Sequence, residues 1–149
     1  MASARAEGDS SETLTKQPEE DRMPARSPEE IHPTVAAAFN AGDESALIEL
    51  YENEAALMPD PEHVLTGTEQ VRAALKQFLA LNGRMTAEVK HVVQTGDLAL
   101  LVAEWSITGS GADGSPVELA SRSIEVARRQ ADGSWRYVID APFGRPLTS

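Results

Sequence analysis

Glu125 is the residue whose setting most favours chemistry. In the stretch from Val117 to Arg129, the residues Leu119, Ser121, Ser123, Glu125 and Ala127 share one face of a strand that alternates with period two. A carboxylate held away from water takes a proton more readily and can act as general acid or base. His91 alternates with Val89 and Val93 on the apolar side of the preceding strand. An imidazole there is a second proton-transfer candidate, because histidine titrates near neutral pH. Asp60, set between Pro59 and Pro61, stands in a break that could rim a cavity and is the third. Each has a plainer role beside it: an edge ion pair for Glu125, a satisfied core histidine for His91, a turn aspartate for Asp60.

Other polar residues carry weaker signals. Tyr51 closes an amphipathic segment, so its ring belongs to the core and its hydroxyl needs a partner. Asp140 is expected on an outer face, paired with Arg122, Arg128 or Arg136. His32 and His63 are expected at the surface. Three histidines so dispersed give no metal-ligand spacing, and no metal or organic cofactor is expected. The glycines from Gly109 to Gly114 join two strands and open no helix, which reads as a turn and not a phosphate cradle. No nucleophile signature of the G-x-S-x-G kind occurs.

The chain that must position these groups has 149 residues, no cysteine and a formal net charge of -11. That length suits one domain plus a tail. The negative charge repels phosphate backbones and anionic lipid heads, so neither nucleic acid nor a membrane surface is an expected partner. The absence of cysteine excludes disulfides and thiolate chemistry and fits a cytoplasmic location. No apolar run is long enough to cross a bilayer, and the N-terminus has no apolar signal core. Residues 1–27 are mostly charged, small or Pro, with Leu14 and Met23 the chief aliphatics. Such a segment reads as a disordered acidic tail ahead of a domain over residues 28–145.

Within the domain, Ser27-Pro28-Glu29-Glu30 starts a helix carrying Ile31, Val35, Ala38 and Phe39 at helical spacing. Gly42 stops it and Asp43 caps a second helix, expected to run from Glu44 to about Tyr51. A short strand at Ala55–Met58 breaks at Pro59 and resumes at His63. Thr68 is the expected cap of a third helix with Val71, Ala74, Leu75 and Phe78 on one face. Met85 to Val93, Leu98 to Ile107, Val117 to Arg129 and Trp135 to Ala141 then read as an antiparallel meander. Helices first and strands afterwards make the class α+β. The face turned from the helices, expected to include Leu101, Ala103, Trp105, Ile107, Ile124 and Val126, would be apolar enough to meet a second copy in a homodimer.

The segments Phe39-Asn40-Ala41-Gly42-Asp43, Leu50-Tyr51, Ala55 to Asp60 and Thr66-Gly67, followed by Asp132-Gly133-Ser134-Trp135 through Phe143-Gly144, resemble the ketosteroid isomerase and SnoaL-like proteins. Those belong to the nuclear-transport-factor-2-like superfamily, and the likeness is closest to its SgcJ/EcaC-like bacterial subgroup. It covers about residues 30 to 144. The resemblance implies a curved antiparallel sheet wrapped around N-terminal helices, a cone with an internal pocket, and Glu125 on the pocket face. Tyr51, Met58, Phe78, Ser123, Ile139 and Phe143 would then contact ligand. Steroid-type isomerisation needs a carboxylate base and two hydrogen-bond donors. Matched through Asn40 to Asp43, one donor position falls on Val35, which cannot donate. The base position falls on Pro59, with Asp60 one residue beyond; the second donor falls on Glu125, and Tyr51 stands where some relatives have a supporting tyrosine.

The function expected is a pocket for a small hydrophobic or amphipathic molecule, with cofactor-free proton transfer by Glu125, aided by Asp60 or His91. The alternative is a non-enzymatic ligand carrier, sensor or dimeric scaffold.

Overall fold

The computed structural model describes residues 24–111 and 113–144. Helix α1 spans Pro28–Asn40 and buries Pro28, Ile31, His32, Ala38 and Phe39 along one side. Gly42, at φ 68°, takes the left-handed conformation that turns the chain out of it. Asp43 then caps α2 (Glu44–Ile48), its carboxylate accepting from the Ala46 amide at 3.1 Å. That helix ends three residues before Tyr51. The Leu50 carbonyl accepts from the Tyr137 amide at 2.7 Å, so pairing with the last strand captures the chain and Tyr51 opens strand β1 (Tyr51–Asp60) instead of closing a helix. Strand β2 is His63–Thr66. Helix α3 (Thr68–Leu79) buries Val71, Ala74 and Leu75; its N-cap is Gly67, and the Thr68 hydroxyl reaches the Asn53 carbonyl instead of capping.

Strands β3 (Arg84–Thr95), β4 (Leu98–Ser110), β5 (Pro116–Arg129) and β6 (Trp135–Ala141) complete a six-stranded sheet in the order β2-β1-β6-β5-β4-β3. Every pairing is antiparallel except β1 with β6. At the end of β4, Gly109 lies so close to the Leu81 carbonyl that an added Cβ would stand 2.6 Å from it. The absence of side chains at Gly83 and Gly109 lets the chain leaving α3 press against the sheet. The helices cover one sheet face, and burying Leu57, Leu101 and Ile107 there contributes on the order of 1.5–3 kcal/mol each.

The packed domain starts before Pro28. Ala25 is buried, its carbonyl accepts from the Trp135 amide at 2.9 Å, and Arg26 donates to the Asp132 carbonyl. The expected tail up to residue 23, and position 145, lie outside the described residues.

Two irregularities set which side chains look inward. In β3 the pairing steps from Val89 opposite Ala103 to His91 opposite Val102, so Lys90 is an extra residue. The bulge reverses the alternation. In β6 the pairing steps from Tyr137 opposite Ala127 to Ile139 opposite Val126, so Val138 is extra and the phase reverses again. Leu101, Ala103, Trp105 and Ile107 are buried on the helix side, since Leu101 and Ala103 pair with the inward Glu125 and Ser123. This corrects their expected place on the outer face. The outer face instead carries a cross-strand row, Val93–Leu100–Val126–Ile139, with Ile124 beside it.

Candidate functional site

Between the helices and the inner sheet face lies a hollow of about 70 Å³. A single water needs roughly 10–15 Å³, so the space has room for several water-sized groups. Its walls are mostly apolar, with Val35 and Phe39 from α1, Leu75 and Phe78 from α3, and Trp105 and Ile107 from β4. One end is polar: His32, Tyr51, Ser123, Glu125, Tyr137 and Asp140 all line it. These six are buried, whereas Phe78, Met85 and Pro142 at the other end are partly exposed. The polar groups therefore sit in the enclosed part of the hollow, and only part of its apolar lining forms the mouth. There the Trp105 indole N–H donates to the Pro142 carbonyl at 2.5 Å and the ring meets Phe143 edge-on.

Glu125 is inward as the alternation of β5 predicts, 3 % exposed, and is the register partner of Asp140 on β6. Asp140 is 7 % exposed, and its Oδ2 accepts from the Tyr51 hydroxyl at 2.6 Å. Burial holds the Asp140 carboxyl well above the usual aspartate range. The facing Glu125 charge raises it further, while the Tyr51 hydrogen bond opposes the shift. Among the described residues, no N–H or O–H reaches Asp140 Oδ1, so a bond between the two carboxyls requires a proton on one of them. Burial and the nearby carboxylates likewise push the Tyr51 and Tyr137 phenols up, which keeps both as neutral O–H groups.

On the other side of Glu125, the His32 Nε2 lies 3.0 Å from its Oε1, with both side chains buried. The distance is that of an ion pair, but neither ring nitrogen makes an aligned hydrogen bond. Tyr137 packs edge-on against both His32 and Tyr51 and holds the two rings apart. The line His32–Glu125–Asp140–Tyr51 thus joins α1, β5, β6 and β1. Such a line can keep a proton out of water and offer it to, or take it from, a molecule in the hollow.

Of the sequence candidates, Glu125, Tyr51, Ser123 and Phe78 line this hollow. The others do not. His91 is exposed, because the Lys90 bulge turns it outward and brings Val92 in. Asp60 stays at the β1–β2 turn, where His63 Nδ1 lies 2.8 Å away; that hydrogen bond holds the aspartate below its usual range and raises the histidine. Met58 is turned from the hollow by the alternation that points Leu57 into it. Ile139 is 42 % exposed because the Val138 bulge rotates it out and Asp140 in, which also overturns the expected pairing of Asp140 with outer arginines. Phe143 reaches Trp105 but does not line the space.

Sequence reasoning missed His32 and Asp140. His32 stands at i, with Val35 and Phe39 at i+3 and i+7, so helical spacing did mark it as inward. Asp140 left no such mark, since a bulge changes the phase without a signature in residue type. Among the described residues, no group of His, Asp or Glu is arranged to hold a metal.

No curated protein matches the sequence. Solved structures do. A ketosteroid isomerase-like protein from Erwinia carotovora atroseptica is 25 % identical, with a TM-score of 0.67 over 76 % of this chain and 89 % of that one. A nuclear-transport-factor-2-like protein with a cystatin-like fold from Novosphingobium aromaticivorans is 17 % identical, with a TM-score of 0.65 over 81 % and 80 %. A candidate dehydratase of the same superfamily from Streptomyces avermitilis is 20 % identical, with a TM-score of 0.63 over 80 % and 93 %. These share the helix-backed curved sheet and its cone. The profile of the SnoaL-like domain matches residues 34–138, and the chain belongs to that family.

Proposed function

We propose that the hollow binds a small amphipathic molecule, polar end first, and moves a proton on it without an organic cofactor. The supporting observation is the pair of buried carboxyls, Glu125 and Asp140, facing each other at the closed end of an apolar hollow. Asp140 leans toward its protonated form and serves as the acid; Glu125, beside His32, serves as the base. Apolar walls exclude water and strengthen both roles. Cyclohexanone is a suitable probe, being small, apolar and exchangeable at the carbon next to its carbonyl. In heavy water the protein should speed deuterium uptake by cyclohexanone, and Glu125→Gln should lower that rate by about 100-fold or more. Equal rates with and without protein would sink the catalytic reading and leave the carrier alternative.

Self-association through the outer sheet face is a second proposal. Val93, Leu100, Ile124 and Ile139 are each more than a third exposed and form one patch with Val126. Charged pairs such as Arg122 with Glu104, at 2.8 Å, lie beside it. An apolar centre with a charged rim is the usual composition of a protein contact.

A further inference from the structure

The proposed pocket function leaves open what the polar end of its ligand is. We infer that it is an ammonium group, so that the hollow selects a small primary amine on an apolar body. The inference rests on that pocket reading and deepens it.

Two carboxyl groups face each other at the closed end, and something positive must lie with them: a proton or a cation. The titratable groups that face the pair are His32 from α1, Tyr51 from β1 and Tyr137 from β6. None of the residues lining the hollow is lysine or arginine. An anionic ligand would therefore meet two carboxyl groups with no lysine or arginine to offset them. Three oxygens, Asp140 Oδ1, Ser123 Oγ and Glu125 Oε1, and both ring nitrogens of His32 are buried without an aligned partner, and all belong to residues lining this one space. An ammonium brings three N–H donors and no acceptor. A neutral hydroxyl brings only one donor.

The walls favour the same ligand. Phe39, Phe78, Trp105 and Tyr137 surround the space, and aromatic faces attract cations, more strongly where water is excluded. At long range the net charge of -11 draws cations toward the protein. The closed polar end and apolar mouth fix the orientation: the amine enters first and the hydrocarbon follows, between Phe78, Met85 and Trp105.

Three probes with one ring separate the possibilities: cyclohexylmethylamine, cyclohexylmethanol and cyclohexanecarboxylate, titrated by calorimetry into the full chain near neutral pH. The amine should bind at least about tenfold more tightly than the alcohol, and the carboxylate should not bind. Asp140→Asn and Ser123→Ala should each lower the preference for the amine over the alcohol about tenfold. An alcohol that binds as well as the amine, or a carboxylate that binds better, overturns the ammonium assignment and leaves the pocket reading standing. Failure of all three to bind removes the pocket reading and the inference together. The wild-type series decides the matter even if a variant does not fold.

Discussion

Glu125 on β5 and Asp140 on β6 are direct register partners, and both carboxyls point into the hollow although two residues earlier on β6 the strand is out of phase with that pairing. Val138 makes the difference. Without its bulge, simple alternation would present Ile139 to the hollow and Asp140 to solvent. One extra residue therefore converts a single buried acid into a facing pair, which is the kind of re-aiming that bulges perform beside sites.

The pair gives stability a defined pH dependence. Asp140 has its folded-state value raised, so its contribution is fully present below the ordinary aspartate range and is lost as pH rises through the raised value. Asp140→Asn keeps a side-chain carbonyl for the Tyr51 hydroxyl and removes the titration. Urea midpoints compared at about pH 5 and about pH 8 should shift in the variant's favour at the higher pH. An unchanged difference between variant and wild type at the two values would count against a raised Asp140.

Tyr51→Phe tests the hydroxyl alone. The ring keeps its edge contact with Tyr137, while Asp140 Oδ2 loses its donor in a buried site. The expected loss is about 1–3 kcal/mol in urea unfolding. A loss below a few tenths would mean that solvent reaches Asp140.

His32 and Glu125 should behave as a coupled pair. His32→Phe leaves the buried Glu125 carboxyl without its polar neighbour at 3.0 Å and should cost about 1–3 kcal/mol. Adding Glu125→Leu should recover much of that loss, because two apolar groups of suitable volume leave no unpartnered buried polar group. Additive losses in the double variant would show that the two residues do not interact.

The outer row predicts self-association. Leu100→Lys places a charge in the middle of Val93, Val126 and Ile139 without touching the inner face. Sedimentation should show wild type as a dimer at micromolar concentration and the variant as a monomer, with unfolding midpoints alike. A monomeric wild type would end this proposal.

Much of the architecture could be read from periodicity. The apolar side of α1, the inward face of β5 and the stops at Gly42 and Pro142 all follow from residue type and spacing. So did Glu125, because β5 keeps its alternation from Leu119 to Ala127. The errors fall where the phase slips. Lys90 and Val138 look like ordinary strand residues, yet each is the unpaired one, and beyond them the predicted faces of His91, Val93, Ile139 and Asp140 are reversed. His91 and Ile139 were lost from the site that way, and Asp140 was gained. The end of α2 was misplaced for a different reason: Leu50 bonds to Tyr137, 87 positions along the chain, and local helix signals carry no trace of so distant a partner.

The most direct test of the account is a carbon-13 NMR titration of the Asp140 side-chain carboxyl, in the wild type and in Glu125→Gln. The account predicts that Asp140 titrates well above the ordinary aspartate range in the wild type and falls back toward it when the Glu125 charge is removed. An Asp140 that titrates as an exposed aspartate does, whatever stands at position 125, would contradict it.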